Sequence, residues 1–173
     1  MMTEGTAEDP ERADLLETLA THRGFLRRTV RDLTDEQARE RTTVSELCLG
    51  GLIKHVTRAE QRWAGFIVGG PEAMSLGGEE AMKAHADSFR MLEGETLAGL
   101  LENYDEVARR TDDLVASLPS LDASQPLPAA PWYKPGAHWS ARRVLLHIIA
   151  ETAQHAGHAD IIRESLDGAK SMG

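Results

Sequence analysis

The chain is poor in cysteine, in aromatic residues and in long apolar runs. Cys48 is the single cysteine among 173 residues, which excludes an internal disulfide and a zinc site built from several cysteines. No run approaches the roughly 20 apolar residues that span a bilayer, and the polar, acidic residues 1–14 do not resemble a signal peptide. We therefore expect a cytoplasmic protein that does not enter a membrane.

Positive charge is scarce as well. The chain has 19 Lys and Arg residues against 28 Asp and Glu residues, for a net charge of −9, and no basic cluster is longer than a pair. This balance argues against nucleic acid and anionic membranes as partners. The hydrophobic content of 41% is ordinary for a globular protein. We expect one domain over residues 10–168, with short tails at 1–9 and 169–173.

Strand-like alternation is absent, whereas apolar residues recur at steps of three and four, which predicts an all-α fold. Pro10 suits a first helical turn, Ser45, Thr96 and Ser140 are suitable N-caps, and Gly168 suits a helix end. Four long helices are predicted near residues 10–33, 46–68, 97–117 and 141–167. Four helices of about this length favour a four-helix bundle.

Two long connections separate these helices. Residues 69–95 are rich in glycine, with a weak helical patch around Glu79–Phe89, and we expect His85 there to be exposed and without a role. Traversing a helix of about 33 Å takes at least about ten extended residues, so this segment can return the chain parallel, which predicts up-down-down-up topology. Residues 119–139 hold five of the seven prolines, and we expect a packed loop without helix or strand.

A line of polar side chains runs beside the apolar stripe of the last helix. His147, Glu151, His155 and His158 are three or four residues apart, so their side chains share one helix face. His55 lies in the middle of the apolar face of the second helix. A lone histidine in that position is usually a satisfied core residue, but a second polar line favours a ligand. Bundles build metal sites from facing helices, so we predict a divalent metal site.

The spacing leaves the ligand pair on the last helix open. Glu151 with His155, His147 with Glu151, and His155 with His158 all satisfy it. The sequence contains no His-Glu-x-x-His and no Glu-x-x-His, and the latter absence argues against a di-iron carboxylate centre. Gly-x-Ser-x-Gly and the phosphate-binding Gly-x-x-x-x-Gly-Lys are absent too.

The last helix of the DinB-like superfamily resembles the segment at 145–168, Leu-Leu-His-Ile-Ile-Ala-Glu-Thr-Ala-Gln-His-Ala-Gly-His-Ala-Asp-Ile-Ile-Arg-Glu-Ser-Leu-Asp-Gly. Its closest branch is the actinobacterial one, similar to the N-terminal domain of mycothiol-dependent maleylpyruvate isomerase, and Gly51-Leu-Ile-Lys-His-Val extends the match. The resemblance implies the same bundle topology. It also implies that His55, Glu151 and His155 are the metal ligands, with the neighbouring histidines as orienting or packing groups.

The resemblance further implies an S-transferase or thiol-dependent isomerase that uses mycothiol or a similar thiol and a small electrophile. Related proteins are often homodimers. Two histidines and one carboxylate suit zinc or nickel, which are the expected metals. We expect Trp132, Tyr133 and Trp139 to cover the substrate, and His147 or His158 to act as a general base. The alternative is a non-catalytic metal-binding or sensing module. A catalyst needs a cleft that reaches the open coordination position, whereas a structural ion is closed off by a fourth protein ligand.

Overall fold

The computed structural model describes residues 9–74 and 78–171 and is predominantly helical. Its elements in chain order are α1 (Pro10–Arg28), α2 (Asp35–Arg39), α3 (Leu49–Gly69), a 3₁₀ turn (Gly70–Met74), α4 (Gly78–Ser88), α5 (Leu97–Ser117), β1 (Ser124–Pro126), β2 (His138–Ser140) and α6 (Ala141–Asp167). The predicted all-α class is therefore confirmed, with a small hairpin added. The predicted tails fall mostly outside the described residues, at 1–8 and 172–173.

The predicted bounds of the last two long helices are confirmed, because local side chains cap them. The Thr96 hydroxyl accepts a hydrogen bond from the backbone N–H of Gly99 at 3.1 Å, at the start of α5. The Ser140 hydroxyl accepts one from the N–H of Arg143 at 3.2 Å, at the start of α6. Gly168 ends α6 with φ of +79°, the left-handed conformation that glycine adopts without strain.

The predicted end of the first helix is wrong. α1 ends at Arg28, and the next residues form a turn in which Asp32 has φ of +60°. Leu33, which continued the apolar spacing, still packs against the core from outside the helix. The spacing therefore located a buried side chain and not a helical residue.

The predicted start of the second long helix is also wrong. α3 begins at Leu49, and Cys48 occupies the N-cap position without a side-chain hydrogen bond. The hydroxyl of Ser45 instead accepts a hydrogen bond from the N–H of Leu47 at 3.2 Å. This serine stabilises a turn before the helix, the same local bond by which serine competes with helix formation.

Both predicted long loops contain regular structure. The 69–95 segment holds the 3₁₀ turn and α4, and α4 confirms the weak helical patch, with residues 75–77 outside the description. The expectation that residues 119–139 lack strands is wrong. β1 and β2 pair antiparallel, with Ser124 opposite Ser140, and Leu127 N–H donates to the Ala137 carbonyl at 2.8 Å. Strands of three residues are too short to show alternation in the sequence.

The core consists of two apolar clusters. One joins the C-terminal parts of α1 and α6 to the N-terminal parts of α3 and α5; it includes Leu26, Leu52, Ile53, Val56, Tyr104, Ala156 and Ala159. The other joins the opposite ends of the same helices; it includes Leu19, Trp63, Phe66, Val115, Val144, Leu145 and Ile148. In the described part of the chain no helix is both long and apolar enough to cross a membrane.

Glycine at the start of α3 allows the segment after α4 to approach closely. A Cβ atom on Gly51 would lie 1.9 Å from the backbone oxygen of Phe89, and one on Gly50 would lie 2.7 Å from the Met91 sulfur. The close neighbour is the turn that follows α4. This contact seats the end of α4 against the N-terminal half of α3.

Candidate metal centre

Side chains from α3 and α6 converge between the two core clusters. His55 of α3 and Glu151 and His155 of α6 each offer one donor atom, and these atoms lie within 4.8 Å of one another. The Nε2 atom of His55 is 3.8 Å from Glu151 Oε2, and that of His155 is 3.6 Å from the same oxygen. The structure thus brings together the three residues that the resemblance implied as ligands.

The spacing of the donor atoms suits a small divalent ion. Bonds of 2.0–2.2 Å in a tetrahedral arrangement place neighbouring donors about 3.4 Å apart. The separations at Glu151 Oε2 are a few tenths of an ångström larger than this and are too long for direct hydrogen bonds. Two imidazoles and one carboxylate are also a donor set that zinc and other divalent transition metals accept. The residues therefore fit such an ion.

His55 is held with one ring nitrogen free for an ion. Its Nδ1 atom lies 3.0 Å from the hydroxyl oxygen of Ser88. That hydroxyl already donates its proton to the carbonyl of His85 at 2.6 Å, so Nδ1 must be the donor and Ser88 the acceptor. Neutral His55 consequently has its lone pair on Nε2, which faces Glu151. The ring also stacks on Phe89, with ring centroids 3.9 Å apart.

His155 and His158 make a contact that orients His155 in the same way. Their Nδ1 atoms lie 3.3 Å apart, so one of them donates to the other. If His155 donates, its Nε2 is left unprotonated and faces Glu151. This is the arrangement in which a ligating histidine gives its second N–H to a neighbouring acceptor.

His147 lies beside the other carboxylate oxygen of Glu151. Its Nε2 atom is 3.9 Å from Oε1, and its ring makes edge contacts with both Trp63 and Trp139, with centroids 4.7 Å and 5.2 Å away. Trp63 and Trp139 stack on each other at 4.8 Å. The tryptophan of β2 is therefore part of the wall behind the polar cluster.

The charges of the cluster suit metal binding near neutral pH. Burial lowers the pKa of His55, with partial opposition from the nearby Glu151 carboxylate, and burial also lowers the pKa of His147. The adjacent imidazoles of His155 and His55 hold the pKa of Glu151 well below its usual range. Glu151 is thus ionised, and His55 and His147 are neutral, without a proton to displace from the donor atoms.

A cavity of about 490 Å³ opens onto the cluster between α3, α4 and α6. Its walls include His55, Trp63, His85, Ser88 and Glu151. The volume lies within the range of small-molecule sites. His85 is exposed, as expected, yet its ring lies 6.0 Å from that of His55 at the cavity wall. Among the described residues, neither of the candidate bases on α6 lines this cavity.

The three aromatic residues of the 119–139 segment take different positions. Tyr133 and Trp139 pack against the apolar cluster at the N-terminal end of α6, and Trp139 also lies under the Arg143 guanidinium at 4.3 Å. Trp132 is 74% exposed and contacts Tyr133, with ring centroids 6.0 Å apart. Trp139 therefore reaches the surroundings of His147, while Trp132 stays at the surface.

These features define a helical protein with a candidate His-Glu-His metal centre at the wall of a small-molecule cavity. The chain belongs to the Mycothiol-S-transferase family, whose model matches residues 14–168. No curated protein matches it. The family match confirms the resemblance to a mycothiol-related branch of the DinB-like superfamily and supports the expected S-transferase class.

Sequence reasoning missed the residues that surround the ligands. Ser88 and Phe89, which hold His55, lie at the end of the weak helical patch in the 69–95 segment. Arg58 and Arg62 line the cavity from α3. One signal was available for the arginines: they follow His55 by three and seven residues and so share its helix face.

Proposed function

We propose that this protein transfers a low-molecular-weight thiol of the mycothiol type to a small electrophile, using one divalent metal ion held by His55, Glu151 and His155. One observation carries the proposal: a small-molecule cavity reaches His55 and Glu151, whose donor atoms converge with that of His155. The family supplies the thiol. Zinc is our first candidate for the ion and nickel our second.

A bound divalent ion would lower the pKa of a thiol in its open position and so supply thiolate character at neutral pH. In the transfer, sulfur forms a bond to the electrophilic carbon, and the leaving group departs with its bonding electron pair. The thiol proton passes to solvent. We favour transfer over isomerisation because the family is described as a transferase.

The protein's own side chains would position the ligands and exclude water. Ser88 fixes His55, whose Nε2 faces the site, and His158 fixes His155. Because His147 and His158 do not line the cavity, we propose that they orient Glu151 and His155 and do not remove a proton themselves. Trp139 would shield the side of the site opposite α4.

We also propose an up-down-down-up four-helix bundle as the scaffold. The composition of the two core clusters supports it, because the N-terminal parts of α3 and α5 share one cluster with the C-terminal parts of α1 and α6. Parallel α3 and α5 leave α6 antiparallel to α3, which lets Glu151 and His155 approach His55.

The competing function is a metal-binding or sensing module without catalysis. The test begins with metal analysis of protein purified without chelator or nickel resin, followed by assays of the metallated protein with N-acetylcysteine and monobromobimane. We expect one ion per chain and metal-dependent thioether formation, both lost in His155→Ala. His22→Ala, which removes a half-buried histidine on α1, serves as the matched control.

Two results would contradict the proposal. A His55→Ala/His155→Ala double variant that still purifies with one ion per chain would refute the ligand set. A metallated wild-type protein in which the thiol reacts no faster than in buffer, across several electrophiles, would leave the binding module as the function.

A further inference from the structure

The cavity beside the candidate metal centre is lined by two arginines that have no carboxylate partner. Arg58 is half-buried and donates from Nη1 to the Ala84 carbonyl at 3.0 Å. Arg62, one turn later on α3, donates from Nη2 to the Met74 carbonyl at 3.3 Å. Within residues 9–74 and 78–171, these are the hydrogen bonds of the two guanidinium groups, and neither group forms an ion pair.

This lack of a partner is unusual in a chain with a net charge of −9. Most other arginines bind a carboxylate, as Arg90 does with Asp87 at 2.9 Å and Arg110 with Glu106 at 2.6 Å. Two guanidinium groups at the wall of one cavity, against the single carboxylate of Glu151 among the described lining residues, leave that cavity with a net positive charge. Burial of part of Arg58 raises the free energy of leaving its charge unpaired.

The ion proposed above would increase the positive charge further. Histidines bind metal as neutral ligands, so Glu151 is the only ligand of the three that opposes a dication. The carboxylate would neutralise half of that charge, and the two guanidinium groups would remain unopposed. The chemical species that such a cavity favours is an anion.

We propose that Arg58 and Arg62 bind a carboxylate carried by one of the two reactants, an inference that rests on the transferase function proposed above. Each guanidinium has five N–H donors and uses one on a backbone carbonyl, so both retain donors for a planar, bidentate carboxylate. The backbone positions of the two arginines lie about 4.5 and 10.5 Å from that of His55 along the α3 axis. Both line the same cavity as His55 and Glu151, so one small reactant can reach the arginines and the candidate metal centre together.

The first experiment measures binding without metal and without turnover. Benzoate and its neutral analogue benzamide are titrated into metal-free wild type, Arg58→Gln, Arg62→Gln and the control Arg28→Gln. Arg28 also lacks a carboxylate partner but lies on α1, away from the cavity, so the control removes the same charge. We expect benzoate to bind about tenfold more weakly to either cavity variant, with benzamide unchanged and the control like wild type.

Three outcomes overturn the inference: benzoate that binds wild type no better than benzamide, cavity variants that bind benzoate like wild type, and an equal loss of both ligands. The last would mean that the arginines only anchor α4 and the 3₁₀ turn. Arg58→Lys and Arg62→Lys keep the charge without the planar fork, so we expect them to retain most of the preference for benzoate. If the glutamine variants unfold, Arg58→Met and Arg62→Met replace them, because methionine also removes the charge and keeps an apolar side chain to pack against α3.

The second experiment identifies which reactant carries the carboxylate. Metallated protein is assayed with iodoacetate and iodoacetamide against a neutral thiol, and with N-acetylcysteine and its amide against iodoacetamide. Each variant is compared with wild type on the same substrate, so intrinsic reactivity cancels. A tenfold rise in KM confined to iodoacetate assigns the anion to the electrophile, and one confined to N-acetylcysteine assigns it to the thiol.

The two experiments separate this inference from the proposed function. Absence of turnover in the wild type refutes the transferase, while the benzoate result still decides whether the arginines bind a carboxylate. Turnover with no charge preference in any arm refutes the carboxylate site and leaves the transferase standing.

Discussion

Two polar clusters contain residues of α3 that are five positions apart, Glu60 and His55. They differ in whether the protein itself supplies hydrogen-bonding partners for the charged groups. Glu60 is buried and receives two hydrogen bonds from Arg23 of α1, from Nε at 3.1 Å and from Nη2 at 2.5 Å. Asp112 of α5 accepts a third from the same guanidinium at 2.9 Å. Opposite charges thus satisfy one another, although the hydroxyl of buried Tyr104 nearby has no hydrogen-bond partner in the described structure.

The cluster at His55 has the opposite character. Its carboxylate, Glu151, is surrounded by three imidazoles at 3.6–3.9 Å, none of them within hydrogen-bonding distance. The ion pair at Glu60 is hydrogen-bonded within the protein, whereas the histidine cluster lies at the wall of a cavity. Buried charge alone therefore does not mark a functional site. Donor atoms that face one another without hydrogen bonds, beside space for a ligand, are the feature that marks it.

Breaking the closed ion pair should have the largest effect on stability. Arg23→Met leaves Glu60 buried without its partner, and we expect the free energy of unfolding to fall by about 3–5 kcal/mol. Urea denaturation measures it. The folded fraction should still bind one metal ion per chain, because no member of the pair touches the ligands.

The matched control is Arg23→Met/Glu60→Leu, which removes both charges. We expect it to recover most of the lost stability, since an apolar pair needs no compensation for desolvation. A cost below about 1 kcal/mol for Arg23→Met alone would show that the pair is not buried in solution.

Bound metal should raise the free energy of unfolding, by somewhat less than Arg23→Met lowers it. At a free zinc concentration 100 times the dissociation constant, we expect a gain of about 2.7 kcal/mol, seen as a higher Tm and reversed by a chelator. His155→Ala should abolish the gain because two ligands remain, whereas Arg23→Met should keep it. A full zinc-induced shift in His155→Ala would show that the ion binds elsewhere.

Removing the hydroxyl that orients His55 should weaken metal binding without unfolding the chain. In Ser88→Ala the His55 Nδ1–H loses its acceptor, and we expect a 10–100-fold loss of zinc affinity in a competition titration. Ser117→Ala is the matched control, since Ser117 also ends a helix and donates to a carbonyl three residues earlier, that of Leu114 at 2.7 Å. Equal zinc affinities in Ser88→Ala and Ser117→Ala would show that Ser88 does not orient His55.

An exposed ion pair should give the smallest effect and a distinct pH dependence. The guanidinium of Arg142 hydrogen-bonds Glu11 and lowers the pKa of Glu11 below its ordinary value of 4.5. A lowered pKa contributes stability above the unfolded-state pKa, and that contribution is lost as the pH falls through the folded-state pKa. Glu11→Gln should therefore lower Tm slightly at pH 7, and the difference from wild type should shrink as the pH falls below 4.5. A difference that grows on acidification would reverse the assigned sign.

The sequence predicted the ends of a helix correctly where neighbouring residues in the chain cap those ends. α5 and α6 were predicted with the bounds Leu97–Ser117 and Ala141–Asp167, because their caps bond to backbone within three residues. The candidate metal ligands were predicted on different grounds. Spacing placed Glu151 and His155 on one helix face but left the ligand pair on α6 open, and the family resemblance selected these two residues together with His55.

The remaining features depend on contacts between residues distant in the chain, which local patterns do not encode. Ser88 contacts His55 because Gly51, without a Cβ atom, leaves room for the backbone of Phe89. Arg23 of α1 pairs with Glu60 of α3, which lies far away in the sequence. Sequence by itself determined where helices of strong periodicity form and which side chains share a face, since helical geometry fixes both. Tertiary structure decided which buried charges neutralise each other and which face a cavity, because those outcomes depend on how the helices pack.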